Sequence, residues 1–365
     1  MKNSRVALAI DAGFGMMKFS KKEDGNIVFD CFPSMAIDVT KTADGSALSS
    51  IGADRDVIDV TYDGREYRVG KDIRTEMVGN DFGRDMTDSY YDSAVYHALM
   101  RGALAYMGEQ TIHTLCLGLP MNHYMAPGRA EKLKTEYTGS IQIRPGVNVH
   151  IENVVIQPQP FGAYAGLGAK VKEINKVLAE KDYALIEKPS DLKEMTVLVV
   201  DPGEFTLDWL LMTETGPIMK VSNAIGDAGR HRIIREIHRL IAEKMSRPIG
   251  TSYFGDIDRS LRSGKPLRIA GQKFDFSDKD FQDLIEKTID DPIRQLFEGL
   301  RGSDDRIDLA VVMGGSPNDV ANAIKRARPW LPVFCGKPDD GQNSSIFGNL
   351  SGFQKWAQVQ DKNQE

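Results

Sequence analysis

Three segments of the sequence combine a short apolar run with a turn of acidic residues or glycine. They are IDAGFGMMK at 10–18, VDPGEFTLD at 200–208 and VVMGGSPND at 311–319. Glycine lets backbone N–H groups approach phosphate oxygens without a Cβ in the way. An Asp at a strand end can hold Mg²⁺, usually through water, and a nearby lysine supplies positive charge for a terminal phosphate. Together the segments favour a site for a phosphate-bearing ligand.

A single turn of this kind is weak evidence, because strands that end in Asp-x-Gly are common. Two such turns, one in each half of the chain, and a third turn of two glycines are harder to explain by chance. The Walker lysine loop and the Rossmann G-x-G-x-x-G pattern are both absent from the sequence. A phosphate site in this chain would therefore be a cleft between two domains and not a single loop.

Each turn follows an apolar run that is typical of a buried strand, at residues 6–10, 196–200 and 309–313. After the first two turns, residues 16–20 and 206–212 are candidate return strands. The two halves of the chain are therefore predicted to open with the same strand–turn–strand pattern.

Other elements are predicted between these segments. Residues 57–62 and 66–69 indicate a hairpin around an Asp-Gly turn. Ser316 and Pro317 have the residue types of a helix N-cap and first position. The glycines and alanines after residue 160 would let a helix pack very close to neighbouring backbone. Helices are predicted over residues 92–107, 161–180 and 231–245.

Size and composition bound the class of protein. The chain has 365 residues, enough for two domains, and 41% of them are hydrophobic. The formal charge of −6 argues against broad nonspecific binding to nucleic acid, and leaves open contact with DNA through a small surface or an adaptor. Cys31, Cys116 and Cys335 form no CxxC pair, which predicts neither a disulfide framework nor a zinc site. With no signal-peptide pattern and no apolar run long enough for a membrane span, we expect a cytoplasmic protein.

The three segments resemble the phosphate 1, phosphate 2 and adenosine motifs of the actin, Hsp70 and sugar-kinase superfamily, in the same order. The resemblance is greatest to the bacterial plasmid-segregation actins of the ParM/StbA type. Residues 201–208 have the D-x-G-x-x-T-L-D form of their second phosphate loop. Further similar pieces are the hairpin end at 64–70, the Leu-Gly-Leu-Pro at 117–120 and the closing FGNLSGF at 347–353.

The resemblance implies an α/β protein with the actin-like ATPase fold. In this fold, two duplicated RNase H-like domains with mixed β-sheets flanked by helices surround a nucleotide cleft. We expect domain I to span residues 1–190, with 345–365 packing back on it, and domain II to span 195–344.

The resemblance also implies roles for individual residues. Asp11 and Asp201 would position Mg²⁺, Lys18 would face the β- and γ-phosphates, and Gln159 would orient the attacking water. Gln157 is a rival for that last role, because the local alignment could shift by two residues. Such a residue needs only to hold a water in line, since phosphoryl transfer depends mainly on positioning and charge stabilisation.

Backbone and ribose contacts are implied as well. Amides of the first loop would come from Gly13, Phe14, Gly15 and Met16, and those of the second from Gly203, Glu204 and Phe205. The nucleoside side would be lined by Gly226, Gly229, Arg232 and Glu236, and the adenosine end by Gly314 and Gly315.

Some positions depart from the family pattern. Pro202, Glu204 and Phe205 stand where relatives often carry small residues, and a glutamate beside a triphosphate leaves the rate of hydrolysis open. The arginines at 230, 232, 235 and 239 are interpreted first as a solvated helix face, and only second as a nucleotide or subunit contact.

The implied function is an actin-like ATPase that binds ATP or ADP with Mg²⁺, polymerises with ATP and disassembles after hydrolysis. Its expected partners are other copies of itself and a DNA-binding adaptor, with plasmid or other DNA as cargo. Two alternatives stay open: a sugar or metabolite kinase of the same superfamily, and a non-filamentous, chaperone-like regulatory ATPase. The sequence does not distinguish ATP from GTP.

Overall fold

Two compact units make up the protein. The computed structural model describes residues 5–41, 55–76, 89–300, 302–337 and 341–363. Unit 1 contains the described residues up to 171 and those from 341 onward, and unit 2 contains those from 172 to 337. Residues 172–190, which the sequence analysis assigns to domain I, are thus grouped with unit 2.

Strands occupy both units. In chain order they are β1 (Ala7–Ala12), β2 (Met16–Glu23), β3 (Asn26–Pro33), β4 (Ile37–Asp38), β5 (Val57–Tyr62), β6 (Arg65–Gly70), β7 (Thr111–Leu119), β8 (Gly139–Arg144), β9 (Val147–Pro158), β10 (Val197–Pro202), β11 (Leu207–Thr213), β12 (Gly216–Pro217), β13 (Asn223–Ile225), β14 (Leu267–Ile269), β15 (Gln272–Phe274), β16 (Leu309–Val312) and β17 (Val333–Cys335).

Helices lie between these strands. In chain order they are α1 (Ile73–Glu76), α2 (Ala94–Met107), α3 (Met121–Met125), α4 (Arg129–Tyr137), α5 (Gln159–Gly166), α6 (Val171–Ala179), α7 (Arg230–Lys244), α8 (Phe254–Ser263), α9 (Lys279–Gly299), α10 (Pro317–Ala327) and α11 (Gly348–Lys362).

The main sheet of unit 1 has the strand order β3-β2-β1-β7-β9-β8. Strands β1, β7 and β9 are parallel, whereas β2, β3 and β8 run antiparallel to their neighbours. Parallel strands end at the same edge of a sheet. Asp11 lies opposite Gly118, and Gly118 lies opposite Gln157, so the ends of these three strands lie side by side. The predicted hairpin forms as β5 and β6 in a separate sheet.

The sheet of unit 2 repeats the central part of this plan. Its order is β12-β11-β10-β16-β17, with β13 also paired to β11, and β10, β16 and β17 are parallel. In both units the first strand turns back into an antiparallel partner, and four residues separate the last paired positions: 13–16 between Ala12 and Met17, and 203–206 between Pro202 and Leu207. We call these the first loop and the second loop. The predicted α/β architecture with mixed sheets flanked by helices is confirmed.

Helix α7 covers the sheet of unit 2 with one apolar face. Ile233, Ile234, Ile237 and Ile241 recur at helical spacing, and all four are buried in the same core cluster as Trp209 of β11. The helix predicted at 231–245 is therefore confirmed. Because its apolar face is buried in the core, the first residue of the helix is held beside the second loop.

Glycines bring α5 and α11 into close contact in unit 1. A Cβ on Gly162 would lie 2.8 Å from Asn349 Cα, and one on Gly352 would overlap the Gly162 carbonyl oxygen. This confirms the close packing predicted for the small-residue helix. That helix is interrupted, because a 3-10 segment at Leu167–Lys170 separates α5 from α6 where Gly166 and Gly168 lower helix propensity. In the described ranges, no helix has both the length and the apolar composition for crossing a bilayer.

Replacing Gly352 by Ala should lower the free energy of unfolding by about 3 kcal/mol or more, because the new methyl group forces α5 and α11 apart. Urea titration measures the loss. Gly166→Ala is the matched control, since its Cβ would find its nearest atom, the Gly348 carbonyl oxygen, at 3.7 Å. That change should stay within about 1 kcal/mol. Equal losses in the two variants would show that the close approach does not limit this interface.

Candidate functional site

The first half-site lies at the end of β1 in unit 1. Asp11 is completely buried there, and Lys18 is its direct partner across the antiparallel pair with β2. Lys18 Nζ donates to Asp11 Oδ2, and Gln159 Nε2 donates to Asp11 Oδ1 at 2.9 Å. The fold thus brings a carboxylate, a cation and an amide from three elements into direct contact.

Gln159 reaches Asp11 because β7, the strand next to β1, has a glycine at the position that the Gln159 side chain passes. Gly118 of β7 lies opposite Asp11, and a Cβ there would stand 3.4 Å from Gln159 Cγ and 2.8 Å from Cζ of Phe353 on α11. This explains the glycine in the Leu-Gly-Leu-Pro segment. Gln157, the rival residue, is a half-buried strand residue in β9 opposite Gly118.

The first loop is held through its carbonyl groups. The Gly13 carbonyl accepts from Ser34 Oγ at 2.6 Å, the Gly15 carbonyl accepts from the Ser34 amide at 3.1 Å, and Tyr91 Oη donates to the Ala12 carbonyl at 3.0 Å. The Gly13 amide donates to the Met16 carbonyl at 3.2 Å. The turn itself therefore uses one of the amides that the sequence assigned to phosphate.

Phe14 anchors the first loop in the core. Only 5% of its surface is exposed, and its ring packs against those of Tyr90 and Tyr91 at centroid distances of 4.9 and 5.7 Å. Aromatic contacts at these distances add to the apolar burial. The loop is a fixed part of unit 1, with Met16 as the first residue of β2.

The second half-site lies at the end of β10 in unit 2. Asp201 is opposite Asp208 of β11, and both are buried. Thr206 Oγ1 donates to Asp208 Oδ2 at 2.5 Å. Asp208 therefore occupies the register position that Lys18 occupies in unit 1. The sequence analysis gave Asp208 no role, although the equal spacing of 11 to 18 and 201 to 208 was a usable signal.

The second loop is bound to the start of α7. The Gly203 carbonyl accepts from the Arg230 amide at 3.1 Å, the Glu204 carbonyl from the His231 amide at 2.8 Å, and the Phe205 carbonyl from the Gly229 amide at 3.0 Å. Helix amides that lack an intrahelical partner are satisfied in this way. A Cβ on Gly229 would lie 2.6 Å from the Glu204 carbonyl group, so this approach requires glycine.

The two glycines after β16, which we call the Gly-Gly turn, close against the second half-site. A Cβ on Gly314 would overlap Asp201 Oδ1, and Gly314 has a φ of +149°, which L side chains rarely adopt. The Gly315 amide donates to the Pro202 carbonyl at 2.9 Å. The second and third sequence motifs therefore meet in unit 2.

Ser316 differs from its predicted role. Pro317 is the first residue of α10 as expected, and Ser316 is the N-cap residue. Within the described residues, however, its hydroxyl makes no bond to the helix and accepts from Arg230 Nη1 at 2.7 Å. A guanidinium is a stronger donor than a backbone amide, which accounts for the exchange.

The remaining predicted nucleoside residues lie on or just before α7. Gly226 is exposed after β13, Arg232 is half-buried, and Glu236 accepts from Arg239 at 3.1 Å. Arg235 pairs with Asp227 at 2.7 Å. The arginines at 235 and 239 are thus paired on an exposed helix face, in line with the first interpretation of this face.

In each unit, the buried carboxylate at the strand end is a group that suits a hydrated magnesium ion. Both oxygens of Asp11 already accept from protein donors, which favours an ion held through its water shell, as Mg²⁺ prefers. Asp201 offers a second buried carboxylate, and the missing Cβ of Gly314 lets backbone lie against it.

Residues 9–162 match the family model described as actin-like proteins, N-terminal domain. The resemblance to actin-like proteins inferred from the sequence is confirmed, and the chain has the actin-like fold.

Solved structures with this fold cover nearly the whole chain. The archaeal actin homologue Ta0583 in complex with ADP is 19% identical with a TM-score of 0.67, over 97% of this chain and 99% of that one. A ParM from a 15-stranded filament of Clostridium botulinum is 20% identical with a TM-score of 0.66, over 97% and 99%. The pSK41 ParM without nucleotide is 19% identical with a TM-score of 0.61, over 99% of both chains. No curated protein matches the chain in sequence.

Replacing Lys18 by Met should lower the free energy of unfolding by about 3 kcal/mol, because the buried Asp11 carboxylate loses its cation. The double change Lys18→Met with Asp11→Asn should recover more than half of that loss, since no charge is left buried without a partner. Urea titration of both variants checks this. Lys134→Met, at an exposed position of α4 in the same unit, should change stability by less than about 0.5 kcal/mol. A double variant less stable than Lys18→Met would contradict the pairing.

Proposed function

We propose that this actin-like protein is an ATPase whose assembly into filaments depends on the bound nucleotide. The observation that carries the proposal is the contact of Asp11 with both Lys18 and Gln159, at the place where the actin-like fold has its first phosphate motif. The Asp201 and Asp208 pair at the equivalent place of unit 2 supports it.

In this proposal, the two half-sites divide the work on ATP. Lys18 Nζ would bind the β- or γ-phosphate while it stays close to Asp11, and Asp11 and Asp201 would hold Mg²⁺, which would supply positive charge to the phosphate oxygens. Asp208, which accepts a hydrogen bond from Thr206, lies opposite Asp201 in the strand register. The Gly-Gly turn receives the adenosine end, and Gly226, Gly229, Arg232 and Glu236 its nucleoside side.

Gln159 is our choice for the residue that orients the attacking water. Its amide is fixed on Asp11, which places its carbonyl oxygen beside the acid that holds the magnesium waters. Gln157 lies in the strand itself, opposite Gly118, and lacks such a contact among those that the described residues show. Positioning of this kind speeds hydrolysis without chemical participation.

Filament formation and DNA movement complete the proposal. A similar protein, the ParM from Clostridium botulinum, has been solved as a filament. With a net charge of −6, this chain would be joined to plasmid or other DNA by an adaptor and not by broad contact of its own. We place this activity in the cytoplasm.

Sedimentation and electron microscopy with ATP, ADP and no nucleotide test the assembly. The wild-type protein should pellet as filaments with ATP and largely stay in the supernatant with ADP. Gln159→Ala should lower kcat at least about tenfold with little change in ATP affinity, and its filaments should persist longer. Gln157→Ala is the matched control and should keep the wild-type rate.

Three results would change the proposal. A protein that binds nucleotide but never pellets is not a filament former. ATP turnover that requires one small-molecule acceptor would favour a metabolite kinase. A larger loss of kcat in Gln157→Ala than in Gln159→Ala would move the water-orienting role to Gln157.

A further inference from the structure

Arg230, the first residue of α7, contacts three separate elements of unit 2. Its backbone amide donates to the Gly203 carbonyl of the second loop at 3.1 Å. Its side chain, only 10% exposed, donates from Nη1 to Ser316 Oγ at 2.7 Å and from Nε to Asp258 Oδ1 on α8 at 2.5 Å. One residue therefore joins the second loop, the residue after the Gly-Gly turn, and a more distant helix.

The contact with α8 is a charged one. Burial raises the pKa of the Asp258 carboxyl group, but the positive charges of Arg230 and Arg262 outweigh burial and hold that pKa below its ordinary value. Asp258 is thus ionised at neutral pH. Arg262 binds the other oxygen of the same carboxylate at 3.0 Å from one turn further along α8.

The contact with Ser316 replaces a favourable local interaction. A serine N-cap typically stabilises its helix by about 1 kcal/mol. Ser316 makes the bond to Arg230 instead, over a sequence separation of 86 residues. Buried ion pairs are weak evidence for added stability. The bond between Arg230 and Ser316 takes the place of a helix cap and links distant elements. It is therefore better explained as a contact that fixes the relative positions of these elements than as one that adds stability.

The geometry points to Arg230 as a positioning residue that couples α8 to the second loop and the Gly-Gly turn. This inference rests on the proposed function, because these two segments are the ones that we assign to the phosphates and adenosine. A nucleotide that orders the second loop and residues 314–316 then also restrains α8 through the Arg230 guanidinium. By reciprocity, displacement of α8 changes nucleotide affinity.

Helix α8 packs against α7 and β14, so the link continues to the β14–β15 hairpin of unit 2. The route consists of direct contacts only: backbone from Gly203 to Arg230, and side chain from Arg230 to Asp258. Arg262 shares Asp258 but stays within α8, so the same Arg-to-Lys change there is a control for a changed donor at the same carboxylate.

Amide hydrogen exchange without nucleotide is the first test. The reporters are the His231 and Gly315 amides, which donate to the carbonyls of Glu204 and Pro202. Arg230→Lys keeps the charge but cannot bind Ser316 and Asp258 together, and should speed exchange at both reporters about tenfold. Arg262→Lys should leave both rates within about twofold of wild type.

Nucleotide kinetics are the second test. Arg230→Lys should raise the KM for ATP about tenfold and change kcat less than about threefold, because it disturbs the placement of the binding segments and not the water at Gln159. If Arg230→Lys does not fold, Asp258→Ala serves in its place, since it removes the carboxylate that accepts from Arg230 Nε and keeps the bond to Ser316. Of the link to α8 that the described residues show, only the long bond from Arg230 Nη2 to the backbone carbonyl of residue 258, at 3.4 Å, then remains. Asp258→Ala should then also speed exchange at Gly315.

The outcomes separate the two proposals. Unchanged exchange at both reporters in Arg230→Lys, or an equal effect from Arg262→Lys, overturns the coupling. A wild-type protein that binds neither ATP nor ADP overturns the proposed function, while the exchange rates still decide whether Arg230 couples these elements.

Discussion

A carboxylate with no exposed surface at the end of a strand is the constraint on which unit 1 depends. A carboxylate buried like that of Asp11 needs a cation and a donor beside it, because an unpaired buried charge costs several kcal/mol. The cation comes from the return strand, and the donor comes from the start of α5, beyond the neighbouring strand β7. Gly118 at the crossing point and the glycine contacts between α5 and α11 follow from the need to bring Gln159 that close.

Unit 2 repeats the backbone of this arrangement without repeating its charges. The strand register is the same, but Asp208 stands where unit 1 has Lys18. Two facing carboxylates repel each other unless a donor or cation lies near. Thr206 provides one donor, and the approach of Gly314 brings backbone against Asp201. The two half-sites are therefore chemically unequal, because the acid at the strand end lies opposite a lysine in unit 1 and opposite a second acid in unit 2.

The elements could be predicted because their signals are local. Apolar runs such as residues 196–200 and the helical spacing of isoleucines in α7 need no partner to be recognised. The contacts of Asp208 and Ser316 could not be found in this way, because they depend on strand register and on an arginine 86 residues away. The break after Gly166 was missed for a related reason, since glycine-rich helices can continue or end depending on what they pack against.

The carbonyl groups of the second loop accept hydrogen bonds from the backbone amides at the start of α7. The loop and the first turn of α7 therefore form one hydrogen-bonded unit. A change in the loop that kept these bonds would have to move α7, and α7 is fixed by its four isoleucines in the core. We therefore place the proposed coupling in the Arg230 guanidinium and its partners, and not in a movement of the loop itself.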